Sequence, residues 1–118
     1  MVARFEFTGE TKVEFGITFK RIRSLVAIAA LGVAVGDVGG WLEKEANLSH
    51  EGNAWVYGNA LVYGNALVYG NALVSGDARV YGNARVSGNA RVSGDARVSG
   101  DAQVSGAAQV SGHAKVYG

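Results

Sequence analysis

The side chains in this sequence that could do chemistry are few and far apart. His50 and His113 are the only histidines, and His50 stands beside Glu51, a pairing in which a carboxylate can orient an imidazole for general-base work. His113 occupies a position where most copies of a short repeat carry Asn or Asp, so it reads as a turn residue, and His50 reads as an ordinary residue at a junction. Two histidines so distant in sequence make a weak metal set. Asn59, Asp77 and Asp95 offer oxygen ligands for a cation, but stacking on one another and bonds to turn backbone account for that residue type first. Arg79, Arg85, Arg91 and Arg97 recur every six residues and raise the question of a phosphate track. With no cysteine there is no disulfide framework, thiol nucleophile or thiolate metal site.

The elements that would position these groups follow from glycine. The chain has 118 residues, 18 of them glycine, and no proline. From Gly52 onward a glycine falls every six residues, and the unit G-[N/D]-A-x-V-[Y/S] fills Gly52 to Tyr117 in eleven copies. Such self-similarity takes precedence over any local reading. Alternation sets Ala and Val on one face of a short strand and the variable residue with Tyr or Ser on the other. Gly-Asn and Gly-Asp supply corners. The expected fold class is all-β, a single-stranded β-solenoid over residues 52–118 preceded by a cap and junction over residues 1–51. The eleven valines from Val56 to Val116 are expected to point inward, with alanines beside them. A Val/Ala interior leaves no space for a ligand.

An aliphatic residue followed four positions later by a small one, as in Val56 and Ala60 or Val62 and Ala66, resembles the hexapeptide repeat of left-handed β-helices. That resemblance implies left-handed winding and a triangular coil of three hexapeptides, so that residues 18 apart stack and eleven units give three to four coils. The glycine here falls one place later than the family's usual small residue. The stretch Gly36-Asp37-Val38-Gly39-Gly40-Trp41-Leu42-Glu43, followed by Asn47-Leu48-Ser49 and Gly52-Asn53-Ala54-Trp55-Val56, resembles small bacterial and phage proteins of the hexapeptide-transferase type. Hexapeptide acyltransferases generally use a histidine base at a subunit boundary and loops that hold the acyl donor. Here no loop interrupts the eleven units.

The outward residues change along the repeat. Trp55, Leu61, Leu67 and Leu73, with Tyr57, Tyr63 and Tyr69, make an apolar and aromatic first ring, whereas later units carry Arg, Gln or Lys with mostly Ser. A contiguous apolar ring marks a contact surface. Residues 1–51 folding back over it and a homo-oligomer interface on its uncovered sides are compatible readings. With an 18-residue coil, Arg79, Arg97 and Lys115 form one column while Arg85 and Arg91 lie on other faces. The solenoid holds five basic and three acidic side chains and the whole chain has a formal charge of +1. A solvated polar surface is expected there, not a nucleic-acid site.

Before the repeat, Arg4 to Thr8 and Lys12 to Phe15 alternate as strands with a turn at Gly9-Glu10, and Ile17 to Ile28 reads as a longer strand. These form an antiparallel β cap. Trp41 and Leu42 are expected to plug the N-terminal end of the coil. Lys20, Arg21 and Arg23 before the apolar run Leu25–Val35 imitate a signal peptide but begin too late. The run is also shorter than the ~20 residues a bilayer span needs. The expectation is a cytoplasmic protein with no membrane or nucleic-acid partner, no cofactor, no metal and no catalytic residue. Gly118 opens a twelfth unit, and an open solenoid end offers backbone groups to another chain. The function expected is a non-enzymatic, self-associating scaffold or protein-binding module, of phage or prophage origin by resemblance. A small phage inhibitor that docks on a host protein, such as a defence factor, and a minimal acyltransferase are the alternatives.

Overall fold

The computed structural model describes residues 3–117; Gly118, read above as the start of a twelfth unit, lies outside them. The chain is all-β. Strands β1 (Phe5–Glu14), β2 (Ile17–Ser24) and β3 (Val38–Leu42) precede the repeat. Each hexapeptide then contributes one short strand, beginning with β4 (Trp55–Val56), β5 (Leu61–Val62), β6 (Leu67–Val68) and β7 (Leu73–Val74). The series continues with β8 (Arg79–Val80), β9 (Arg85–Val86), β10 (Arg91–Val92) and β11 (Arg97–Ser99). It ends with β12 (Gln103–Val104), β13 (Gln109–Val110) and β14 (Lys115–Tyr117).

Successive strands turn onto three sheets, and every third strand stacks in parallel. The first sheet runs β1-β2-β3-β5-β8-β11-β14, the second β4-β7-β10-β13, and the third β6-β9-β12. Registers join residues 18 apart: Leu61 with Arg79, Arg79 with Arg97, and Arg97 with Lys115 on the first sheet. Backbone N–H groups donate from one coil to carbonyls of the next, as from Trp55 to Ala72 at 3.0 Å and from Leu73 to Ala90 at 3.0 Å. The corners join the same ladder, Asn71 N–H donating to Gly88 O at 2.8 Å and Asn89 N–H to Gly106 O at 2.7 Å. Side-chain amides stack as well, Asn65 to Asn83 at 3.2 Å and Asn83 to Asp101 at 3.2 Å. Each corner needs a residue with positive φ and no Cβ. Gly88 has φ +64, and a Cβ there would come within 2.8 Å of Gly106 N in the coil below.

The interior is one column of aliphatic side chains. The repeat valines from Val56 to Val98 and the alanines from Ala54 to Ala96 are buried, as the alternation requires. Ala108 and Ala114 are exposed and Val116 is only partly buried, because no further described coil lies beneath them.

The irregular segment differs from expectation in four places. First, β1 is continuous through Gly9, whose φ of +98 absorbs a register shift between Phe7 and Thr11. The turn falls instead at Phe15-Gly16, with φ +55 and +72, the positive pair that a two-residue hairpin needs. Second, β2 ends at Ser24 instead of running on to Ile28. Its hydroxyl donates to Val26 O at 2.6 Å, and the chain then makes a 3₁₀ turn over Ala29–Leu31 closed by an Ile28–Val33 bridge. Third, the signal-like run is a lid: Ile28 and Val33 are buried in the same core as Phe5, Ile22 and Leu42, and these residues close the N-terminal end.

Fourth, Trp41 and Leu42 do not plug that end together: Leu42 joins the core that closes it, and Trp41 does not. They belong to β3, which pairs in parallel with β5, Trp41 opposite Leu61 and Leu42 opposite Val62. Leu42 is therefore an inward residue of an earlier rung, and Trp41 is outward, capped by the Lys12 ammonium 4.6 Å from its ring centroid. Leu48 likewise bridges Val68. The stack thus begins one irregular coil before Gly52, with a spacing of 20 residues instead of 18. Gly39 and Gly40 permit this, since a Cβ on Gly39 would meet Val56 O at 2.6 Å and one on Gly40 would meet Val56 Cγ1 at 2.7 Å.

Candidate functional site

The apolar ring does not survive as a continuous surface. Because consecutive units turn through about a third of a coil, Leu61 lies on the first sheet, Trp55 and Leu73 on the second, and Leu67 on the third. Trp55 is 0% and Leu61 3% exposed, both covered by the N-terminal segment. Trp55 joins the main core, where its Cζ2 lies 2.7 Å from the position of a Gly39 Cβ, and its indole nitrogen has no hydrogen-bond partner among the described residues. Leu61 packs with Phe19 and Trp41 in a small cluster bordered by Ile17 and Tyr63. Neither is available to a second molecule, which corrects their reading as interface residues; Phe19 and Trp41 lie on Leu61, and Gly39 of β3 lies against Trp55.

Of the rest, Tyr57 is 51% exposed, and Leu67, Tyr69 and Leu73 are half-buried. Leu67 opens onto a shallow, mostly apolar hollow of about 460 Å³ formed with Ala46, Leu48 and the segment through Glu51. Tyr63 stacks on Tyr81 with centroids 4.9 Å apart and meets Phe19 edge-on at 5.3 Å. Burial raises the Tyr63 phenol above its ordinary pKa, with the neighbouring Tyr81 adding to the effect.

His50 pairs with Glu45 instead of Glu51. Its Nε2 lies 2.8 Å from the Glu45 carboxylate, its Nδ1 accepts the Arg4 backbone N–H at 3.0 Å, and its ring stacks on Phe5 at 4.3 Å. Both ring nitrogens are therefore occupied. Arg4, buried beside it, donates from Nη2 to Ser49 O and Ala54 O, each at 2.9 Å. Desolvation lowers its pKa below the ordinary arginine value. This knot ties the first strand to the first corner of the repeat. His113 is far off on the surface, its Nδ1 3.4 Å from Asp95. Among the described residues no group of three or more His, Asp or Glu side chains is placed to hold a metal ion.

A groove of about 530 Å³ lies on the outer face of the first sheet. Its floor is the column Leu61, Arg79, Arg97 and Lys115, and one wall is the corner column Asn59, Asp77, Asp95 and His113. The β1–β2 hairpin bends over the upper end and contributes Lys12 and Glu14, whose side chains pair at 2.9 Å. The hydrogen bond from Lys12 holds the Glu14 carboxyl below its ordinary pKa. At the hairpin tip Phe15 lies 4.6 Å from the Arg79 guanidinium and 6.2 Å from Tyr63. Those contacts oppose the cost of placing an aromatic residue at φ +55. Lys12, Glu14 and Phe15 were not legible as site residues, because their only sequence signal was strand alternation ending at Gly16.

A model of the YdcK beta solenoid repeat matches residues 54–69, 68–80, 78–92 and 90–106. The matched stretch is thus similar to that repeat and coincides with the regular coils. No curated protein matches the chain.

Proposed function

We propose that this β-solenoid protein is a non-catalytic scaffold that associates with itself and offers a protein-binding face. The observation that carries the reading is the apolar hollow around Leu67 and Leu48, on a solenoid whose variable outward position is Arg, Gln or Lys from Arg79 onward. A concave apolar surface left uncovered beside polar coils marks a contact site. The buried ladder and valine column make the module rigid, so a partner meets a preformed surface and loses little further entropy on binding. Three features support a non-catalytic role. Both nitrogens of His50 are engaged, the two histidines lie in separate regions, and the interior is filled by Val and Ala. The sequence resemblance to hexapeptide acyltransferases extends to the coil and not to a free histidine base.

Sedimentation velocity across a concentration series tests the proposal. Association that is abolished by Leu67→Lys and unaffected by Arg85→Gln is the expected result. A monomer at every concentration, or association indifferent to Leu67→Lys, refutes it.

A further inference from the structure

The groove on the first sheet holds a column of cations that form no ion pair among the described residues, although Glu14, Asp77 and Asp95 also line it. Arg97 is in direct register with Arg79 above and Lys115 below. Like charges directly opposite on neighbouring strands are destabilising. Among the described residues none of these three cations has a carboxylate within ion-pair distance; the pairs formed are Lys12–Glu14, Arg21–Glu10, Arg23–Glu6, His50–Glu45 and His113–Asp95. The acids of the wall are used sideways, Asp77 accepting from the Asn59 amide at 3.4 Å and Asp95 facing His113. A net charge of +1 for the whole chain conceals this, because the fold sorts cations and carboxylates into adjacent columns.

Two columns therefore run side by side down the groove. One is cationic, and the corner column beside it carries amide and carboxylate acceptors. Tyr63 and Tyr81, outside the groove's lining, are stacked on each other at 4.9 Å. The matching ligand is linear, anionic and rich in hydroxyl donors.

Donor chemistry narrows the choice. The cations repeat at the interstrand distance of about 4.8 Å, beside a column of carboxylate acceptors. Neither the acidic side chains of a peptide nor the phosphates of a nucleic acid carry a hydroxyl to donate to Asp77 or Asp95. A hexuronate unit carries hydroxyls beside its carboxylate. We propose that this groove binds an acidic polysaccharide of linked hexuronate units, the carboxylates on Arg79, Arg97 and Lys115 and the ring hydroxyls on Asp77 and Asp95. Lys12 and the hairpin close the upper end, so the chain enters from the C-terminal side.

Calorimetric titration of the full chain at low salt with a galacturonate tetramer, a neutral galactose tetramer and a thymidine oligonucleotide of matched charge tests this proposal. The tetra-uronate is expected to bind and to weaken as salt rises, with no heat from the neutral tetramer. Arg97→Gln should lower its affinity about tenfold, equivalent to about 1.4 kcal/mol. Lys115→Gln is the second variant if Arg97→Gln disturbs folding by circular dichroism. Arg85→Gln on the third sheet should leave binding unchanged. Asp77→Ala with Asp95→Ala should weaken the uronate, because hydroxyl acceptors are lost. The proposal is overturned by absence of binding, by equal losses from Arg85→Gln and Arg97→Gln, or by oligonucleotide binding that matches the uronate and tightens when the two aspartates are removed.

Discussion

Gly88 separates two reasons for the glycine ruler, and replacing it by alanine measures them. One reason is local: a residue with a Cβ at φ +64 pays about 1–2 kcal/mol for the left-handed region. The other is tertiary: the added Cβ would lie 2.8 Å from Gly106 N and 3.0 Å from Gly106 O. Those atoms are backbone, held by the Asn89 N–H to Gly106 O bond of 2.7 Å, so they cannot rotate away. Overpacking of this kind costs about 1–3 kcal/mol. Gly88→Ala should therefore cost about 2–5 kcal/mol. Gly106 has the same φ, +65, with nothing within 4 Å of its Cβ position, and Gly106→Ala should cost only the local part, about 1–2 kcal/mol. Urea denaturation followed by far-ultraviolet circular dichroism gives both free energies. Hydrogen exchange across residues 85–110 shows whether the lower coil frays separately, as expected where each coil touches only its neighbours. Equal costs for the two variants would refute the stacking argument and leave φ as the sole reason for the repeat.

Two further outcomes follow from the cap and the groove. Leu42→Ala, at a fully buried position one rung before the repeat, should cost about 2–5 kcal/mol in thermal or urea unfolding, while Val35→Ser on the exposed part of the lid should stay within about 0.5 kcal/mol. Lys12→Ala removes the hydrogen bond that depresses Glu14, so the Glu14 carboxyl should titrate upward toward 4.5 in carbon-detected NMR. Because the folded-state pKa is the lower one, whatever the pair contributes is present above the unfolded carboxylate pKa. It is lost as pH falls through the folded value, and the variant should show no such loss.

The regular coils were readable residue by residue, since Ala, Val and Gly at fixed spacing leave one arrangement that buries the aliphatic side chains. The cap was readable only in type. Alternation identified antiparallel strands but not that Gly9 would be a bulge and Phe15-Gly16 the turn, because both glycines permit positive φ. The apolar run after Ser24 resembled a strand continuation, yet it turns so that Ile28 and Val33 are buried in the core and Val26 and Leu31 pack against it partly buried. Trp55 and Leu61 looked like surface residues for the same reason that Leu67 does: their place in the unit is outward. What decided between them was tertiary cover: Phe19 and Trp41 pack on Leu61 over the first sheet, while Trp55, on the second, is buried in the main core beside Gly39.

By itself the sequence determined the solenoid, its six-residue step and its inward valines, because these depend on a periodicity that any 20-residue window between Gly52 and Tyr117 displays. Only the tertiary structure decided where the stack begins, which aromatic residues are buried, and that Lys12 and Phe15 overhang a column built from residues 18 apart. Those facts depend on how an irregular hairpin curls onto one of three equivalent faces. That choice is made by long-range packing of Phe19, Trp41 and Leu61, which no local pattern encodes.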